Sequence, residues 1–126
     1  MPSRKPVTAT DLRTAVAEVL PWLNDGAPQP PRPTLAAAVR LSLRTLEQDA
    51  PGHTVEVRVP PFAAVQCIEG PRHTRGNPPN TIETDPKTWL ELATGTLDWH
   101  TAVAESRVSA SGSRADLSEH LPLLRF

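Results

Sequence analysis

The stretch from Thr84 to Asp116 constrains the fold most, because it combines two helix starts, a helix end and a strand in one short segment. Asp85 is a favourable N-cap, and the proline after it suits the first helical position. Gly95 follows apolar residues at helical spacing, as expected just past a helix end. Asp98 can cap a second short helix, and Arg107–Ser111 then alternates apolar and polar residues, which predicts a strand.

The N-terminal part of the chain predicts two helices joined by a proline-rich connection. Apolar residues first recur at helical spacing, and Pro21 is expected to end or kink that helix near Leu20, leaving Trp22 in a turn against the core. Residues 24–33 form the proline-rich connection. The second helix is expected to begin at Thr34. Its predicted buried stripe consists of Leu35, Val39, Leu43 and Leu46.

Three further strands are predicted in the middle of the chain. His53–Val59 alternates and indicates a half-buried strand. Phe62–Ile68 is the most apolar strand, so both of its faces are expected to be covered, and Asn80–Thr84 is shorter. A helix near Arg114–His120 and an apolar tail docked on the core are expected after the last strand. Four strands without regular strand–helix alternation predict an α+β fold and not a doubly wound one.

Composition excludes several classes of protein. A net charge of −1 over 126 residues argues against a nucleic-acid partner, since duplex-binding domains normally carry a basic face. No apolar run approaches the roughly 20 residues of a transmembrane helix, and the first residues lack the apolar core of a secretory signal. A single cysteine suits a reducing cytoplasm. We therefore expect a cytoplasmic single domain over residues 1–126, with a helical part in 1–52 and the sheet and C-terminal helices in 53–126.

Several of these features follow one another as they do in a known family. The order TDP-x-x-W-x-x-L-x-x-G-x-L-x-W-x-x-A, a strand, and S-G-x-x-A-x-L resembles the C-terminal half of the sterol carrier protein type 2 (SCP-2-like) lipid-binding family. The segment RVPPFAAVQCIEGPRHTRGNPPNTIETDPKTWLELATG is similar to the small bacterial orthologs of that family. The resemblance covers residues 55–123 best. It implies a mostly antiparallel sheet of four to five strands, helices packed on one side, and an apolar tunnel between the two layers.

Apolar side chains on two consecutive short helices are candidates for the lining of such a tunnel. They are Trp89, Leu90, Trp99 and Val103. In the resembled family, helices in this part help to line the lipid tunnel, and Val65 on the apolar strand is a further candidate. Ordinary core packing is the alternative for each of these residues, although a packed side chain can also border a ligand.

A polar loop bounded by prolines carries the candidate anion site. Arg72, His73 and Arg75 lie close together in it, and guanidinium groups offer paired donors to a carboxylate or phosphate headgroup. Glu69 and Glu83 flank the loop and could instead hold the arginines in internal ion pairs. Both interpretations stay open at the level of sequence.

The other reactive residues indicate neither catalysis nor metal binding. Cys67 lies within a predicted strand with no histidine nearby in sequence, so it is predicted to be a small buried hydrophobe and not a nucleophile. The four histidines show no metal-ligand spacing. We expect no metal, no cofactor and no enzymatic activity.

These observations favour a non-enzymatic carrier that holds a small apolar or amphipathic ligand, of fatty-acyl or similar type, in an internal cavity. One alternative is a detached accessory domain resembling the C-terminal domain of mycothiol-dependent isomerases. Another is a protein-interaction module without a small ligand, for which a protein partner is possible. The carrier hypothesis expects a hollow interior beneath the tryptophan-bearing helices, whereas a filled core would favour the interaction module.

Overall fold

The computed structural model describes residues 5–70 and 80–126. The helices of this part are α1 (Ala9–Ala17), α2 (Leu20–Asn24), α3 (Arg32–Asp49), α4 (Pro86–Thr94) and α5 (Trp99–Ala104). The strands are β1 (Val55–Val59), β2 (Ala63–Cys67), β3 (Asn80–Thr84) and β4 (Val108–Ser111). None of these helices combines the length and the apolar character that crossing a membrane requires.

The four strands form one mixed sheet in the order β2-β1-β3-β4. β1 pairs antiparallel with β2 and parallel with β3, and β4 pairs antiparallel with β3. Two of the three pairings are therefore antiparallel. Together with the helices, this arrangement confirms the predicted α+β fold with a mostly antiparallel sheet, here of four strands in the described residues.

The two faces of the sheet differ in polarity. Val57 and Val65 lie opposite each other in the register of β1 and β2, and both are buried together with Ile82 of β3. The opposite face carries an ion pair between Glu56 and Arg58. The helices cover the apolar face, where α3 packs against β2, and this agrees with the expected packing of helices on one side.

The most apolar strand, β2, lies at an edge of the sheet. Its inward residues Val65 and Cys67 are buried, but Ala64 is exposed and Gln66 is only half-buried. The prediction that both faces of this strand are covered is therefore wrong. Alanines raise the apolar content of a strand without requiring burial, so composition did not distinguish an edge strand from a central one.

The first predicted helix consists of two helices. α1 ends at Ala17, and α2 begins at Leu20 with Pro21 in its first turn, where a missing N–H is tolerated. The prediction that Trp22 lies in a turn is wrong, because the proline starts a new helix here. α3 likewise begins slightly earlier than predicted, at Arg32, again with a proline in its first turn. Every member of its predicted stripe is buried: Leu35, Val39, Leu43 and Leu46.

The helix signals after β3 are confirmed. The carboxylate of Asp85 accepts the backbone N–H of Thr88 and so caps α4. Gly95 ends α4 with a φ of 80°, in the left-handed region that favours glycine. The carboxylate of Asp98 accepts the N–H of Thr101 and caps α5 in the same way. These local caps place α4 and α5 as the sequence predicts.

No helix forms over residues 114–120, so that prediction is wrong. The backbone N–H of Arg114 donates to Oδ1 of Asn80, and the N–H of Ser118 donates to the carboxylate of Asp116. These side-chain acceptors offer the backbone an alternative to helical hydrogen bonds, and the segment forms turns.

The apolar C-terminal tail docks on the core, as predicted. The N–H groups of Leu123 and Leu124 both donate to the carbonyl oxygen of Ala93 in α4, at 2.8 and 3.3 Å. Both leucine side chains are partly buried against the core. The tail is therefore attached to α4 by backbone hydrogen bonds as well as by apolar contacts.

Candidate functional site

A groove of about 580 Å³ lies between α3 and the edge strand β2. Small-molecule pockets in proteins begin at roughly 300 Å³, so the groove has the size of a ligand site. Its apolar surface comes from Ala37 and Leu41 of α3 and from residues 63–65 of β2. We refer to it as the α3–β2 groove.

The small side chains on both walls account for the open space. Ala37 and Leu41 stand one turn apart on the same side of α3, which places them on one wall. Ala63 and Ala64 form the facing wall, and methyl groups are too short to fill the gap. Because β2 is an edge strand, no further strand within residues 5–70 and 80–126 covers the groove on that side.

Charged side chains of α3 border the groove. The guanidinium group of Arg40 donates from Nε to the carbonyl oxygen of Phe62 at 3.3 Å. The guanidinium group of Arg44 donates to the carbonyl oxygen of Lys5. Glu47 lines the same groove and adds a carboxylate. Apolar walls next to charged groups suit an amphipathic molecule, whose chain and headgroup need different surroundings.

Trp89 and Leu90, two of the predicted lining residues, lie in the hydrophobic core with no exposed surface. The indole N–H of Trp89 donates to Oγ of Ser42 in α3 at 2.8 Å, so α4 is held against α3 by a buried hydrogen bond. Neither side chain borders the α3–β2 groove. Direct contact of these two residues with a ligand stays a prediction.

The other predicted lining residues do not lie together. Trp99 is nearly buried and borders a small pocket of about 170 Å³. Val103 is 41% exposed and does not join Trp99 and Ala102 in the core, and its contact with a ligand stays a prediction. This helix is only one and a half turns long, too short for all of its apolar residues to reach the core. Val65 does line the α3–β2 groove.

The predicted anion site cannot be placed by this structure. Arg72, His73 and Arg75 lie outside the described residues. Their binding of a headgroup and their pairing with internal carboxylates both stay predictions.

Cys67 is confirmed as a buried hydrophobe. Burial raises the pKa of its thiol to about 11, and the negative charge of Glu47 acts in the same direction. A thiol that stays protonated at neutral pH is a poor nucleophile. In the part of the chain that the structure describes, no group of three or more His, Cys, Asp or Glu side chains is placed to hold a metal ion.

Sequence reasoning missed most of the groove residues. Of the three consecutive alanines near the start of α3, Ala36 and Ala38 are buried. Ala37 is exposed and faces the groove instead. The available signal was the placement of Ala37 and Leu41 off the buried stripe of the helix. An apolar pair on the otherwise charged side of a helix indicates a second contact surface.

Comparison with known families identifies the chain. A family model described as "Bacterial SCP ortholog" matches residues 31–123. The matched segment contains both walls of the α3–β2 groove, all four strands, and the helices α4 and α5. Comparison with curated proteins gives no match. Because the family match covers most of the chain, the protein belongs to the family of bacterial SCP orthologs.

Proposed function

We propose that this protein is a non-enzymatic carrier of a small amphipathic molecule of fatty-acyl type, whose apolar chain lies in the α3–β2 groove. The observation that carries the proposal is a ligand-sized groove with apolar walls in a member of this family. In this proposal, Ala37, Leu41 and Val65 contact the chain of the ligand directly. The protein acts in the cytoplasm, where its single cysteine stays reduced.

The energetics of such a groove suit reversible binding. Burying a methylene group contributes about 0.8 kcal/mol, so about eight buried methylenes contribute roughly 6 kcal/mol. Part of this free energy is offset by the freedom that the ligand loses on binding. The expected dissociation constant is therefore about tens of micromolar or weaker, which allows a carrier to release its ligand.

The predicted residues outside the groove belong to the same proposal. Trp89 holds α4 against α3, the helix that forms one wall of the groove, and Leu90 lies beside it in the buried core. Trp99 and Val103 lie on α5, which packs against β4 at the other edge of the sheet, so ligand contact at these two residues is a separate part of the prediction. Anion binding by the loop residues Arg72, His73 and Arg75 is the remaining part of the prediction.

The experiment fills the groove with one side chain. Ala37→Trp places an indole at the groove wall, and Ala17→Trp makes the same change on α1, away from the groove. Both alanines are exposed on helices, so both variants are expected to fold with the circular dichroism spectrum of the wild type. Binding of a fluorescent fatty acid should weaken at least tenfold in Ala37→Trp, a change of about 1.4 kcal/mol, and should be unchanged in Ala17→Trp.

Mass spectrometry of the native protein identifies any lipid that co-purifies with it. A co-purified acyl lipid that is absent from Ala37→Trp would agree with the proposal. If wild type and Ala37→Trp bind the fluorescent fatty acid equally, the ligand does not occupy the α3–β2 groove. If the wild type binds no lipid in either experiment, the carrier function is refuted and the interaction module becomes the better hypothesis.

A further inference from the structure

A second pocket, of about 410 Å³, lies where the N-terminal ends of α3 and α4 meet. Trp22 of α2, Leu35 of α3 and Phe62 supply its apolar surface. Arg32 at the start of α3 and Lys87 at the start of α4 supply two cations. We refer to it as the Arg32–Lys87 pocket.

Both cations of this pocket stand over aromatic rings. The guanidinium carbon of Arg32 lies 5.1 Å from the centroid of the Phe62 ring, and Nζ of Lys87 lies 5.4 Å from the Trp22 ring. Cation–π contacts restrict these long side chains without neutralising their charge. An anion that binds between them therefore meets groups that are already partly ordered, which lowers the entropic cost of binding.

The charge of the pocket favours an anion. Among the described residues, neither Arg32 nor Lys87 forms an ion pair. Asp85 also lines the pocket, but its carboxylate already accepts the N–H and the hydroxyl group of Thr88. Burial alone would raise the pKa of Asp85, but these hydrogen bonds outweigh it, so its pKa lies below the usual value. Two cations and one carboxylate leave a net positive charge.

The arginines of the α3–β2 groove are less suited to the same task. Arg40 and Arg44 both donate to backbone carbonyl oxygens, and Glu47 lies in the same groove. An anion in the α3–β2 groove would have to replace these hydrogen bonds, and the negative charge of Glu47 would repel it. At the other pocket, the N-terminal end of α3 adds a small potential of favourable sign, because no side chain caps its first N–H groups.

The two cavities adjoin where the chain enters β2. Phe62 of the Arg32–Lys87 pocket is followed directly by Ala63 of the groove. Arg40, which lines the groove, donates from Nε to the carbonyl oxygen of Phe62 at 3.3 Å. One elongated ligand can therefore contact both cavities.

We propose that the Arg32–Lys87 pocket binds the carboxylate or phosphate group of the carried molecule, whose chain then extends along α3 into the groove. The position of the chain rests on the proposed carrier function, whereas binding of the anionic group does not. The inference predicts the orientation of the ligand, with its head at the N-terminal end of α3. It also predicts the ligand class, an anionic amphipath and not a neutral one.

The test compares ligands that differ only in charge. Decanoate, decanol and inorganic phosphate are titrated into the full chain while the indole N–H resonance of Trp22 is followed by NMR. Decanoate is expected to bind about tenfold more tightly than decanol at low salt, and the difference should shrink as ionic strength rises. Phosphate alone should shift the Trp22 resonance at millimolar concentration.

The double variant Arg32→Gln/Lys87→Gln should abolish both the preference for decanoate and the phosphate shift. Lys5→Gln/Arg114→Gln lowers the net charge by the same amount at exposed positions away from the pocket and should keep both. Equal binding of decanoate and decanol to the wild type, together with an unshifted Trp22 resonance in phosphate, overturns the proposal. The proposal is also overturned if the two double variants bind decanoate, decanol and phosphate in the same way.

Failure of the carrier function gives a different result. A phosphate shift that depends on Arg32 and Lys87, in a protein that binds neither decanoate nor decanol, would support the anion pocket and refute the carrier function. Binding of both decanoate and decanol with equal affinity, blocked by Ala37→Trp, would support the carrier function and refute the anion pocket.

Discussion

Removing the hydroxyl group of Ser42 should destabilise the protein, because the buried indole N–H of Trp89 then loses its hydrogen-bond acceptor. Ser42 and Trp89 are both fully buried, and the indole N–H donates to Oγ of Ser42 at 2.8 Å. The same Oγ lies 2.7 Å from the carbonyl oxygen of Ala38, so the hydroxyl group accepts from one helix and donates within the other. In Ser42→Ala, the Trp89 N–H has no partner and no access to water.

The magnitude follows from two opposing contributions. An unsatisfied buried donor costs about 1–3 kcal/mol. Alanine has a higher helix propensity than serine, which offsets this cost by up to roughly 0.5 kcal/mol. The free energy of unfolding is therefore expected to fall by about 1–2 kcal/mol. With a urea m value of about 2 kcal/mol/M, the midpoint of unfolding should fall by about 0.5–1 M.

The assay is urea unfolding followed by far-ultraviolet circular dichroism, because it does not depend on tryptophan. In the Trp89→Phe background no indole N–H remains, so Ser42→Ala should cost close to nothing there and the double-mutant cycle should show a coupling of about 1–2 kcal/mol. Thr45→Val serves as the control, since its hydroxyl group donates to the carbonyl oxygen of Leu41 within its own helix and therefore does not link α3 to α4. If Ser42→Ala costs the same in both backgrounds, or no more than Thr45→Val, the buried hydrogen bond does not hold α3 and α4 together.

Two further outcomes test the fold and the chemistry. A Cβ at Gly52, where φ is +149°, would lie 2.1 Å from the carbonyl oxygen of Ile68, so Gly52→Ala should lower the free energy of unfolding by more than ~2 kcal/mol. Gly26→Ala, at φ +72° with open space around the Cβ, should cost only about 1 kcal/mol in the same urea experiment, and similar costs would contradict the close approach at Gly52. Cys67 should resist Ellman's reagent in the folded protein at pH 8, because burial raises its pKa to about 11, and should react fully after unfolding in guanidinium chloride. Rapid labelling of the native protein would contradict the buried position of this thiol.

Local signals in the sequence predicted most of the secondary structure. Asp85 and Gly95 bound α4 as expected, because an N-cap and a left-handed glycine act within one helical turn. Helical periodicity also identified the buried stripe of α3. Two predictions made from local signals were wrong. Pro21 began a helix where it was expected to end one, and side-chain acceptors replaced the helix predicted over residues 114–120.

The candidate site was less accessible to sequence reasoning. Apolar character alone marked Trp89 and Val103 equally, yet one is fully buried and the other is 41% exposed. Ala37 was not among the candidate site residues, although it faces a groove of about 580 Å³. The Arg32–Lys87 pocket combines α2, α3, α4 and the residues before β2, which are far apart along the chain. No spacing rule connects such distant positions.

The sequence by itself determined where α4 begins and ends, which faces of α3 and β1 are apolar, and that Cys67 lies within a strand. These properties depend on residues within a few positions of one another, so short segments of the sequence are enough to predict them. Only the tertiary structure decided that β2 is an edge strand, that the indole N–H of Trp89 donates to Ser42, and which small side chains border a groove. The physical reason is that a groove is space that packing does not fill, and this space depends on how distant elements approach each other.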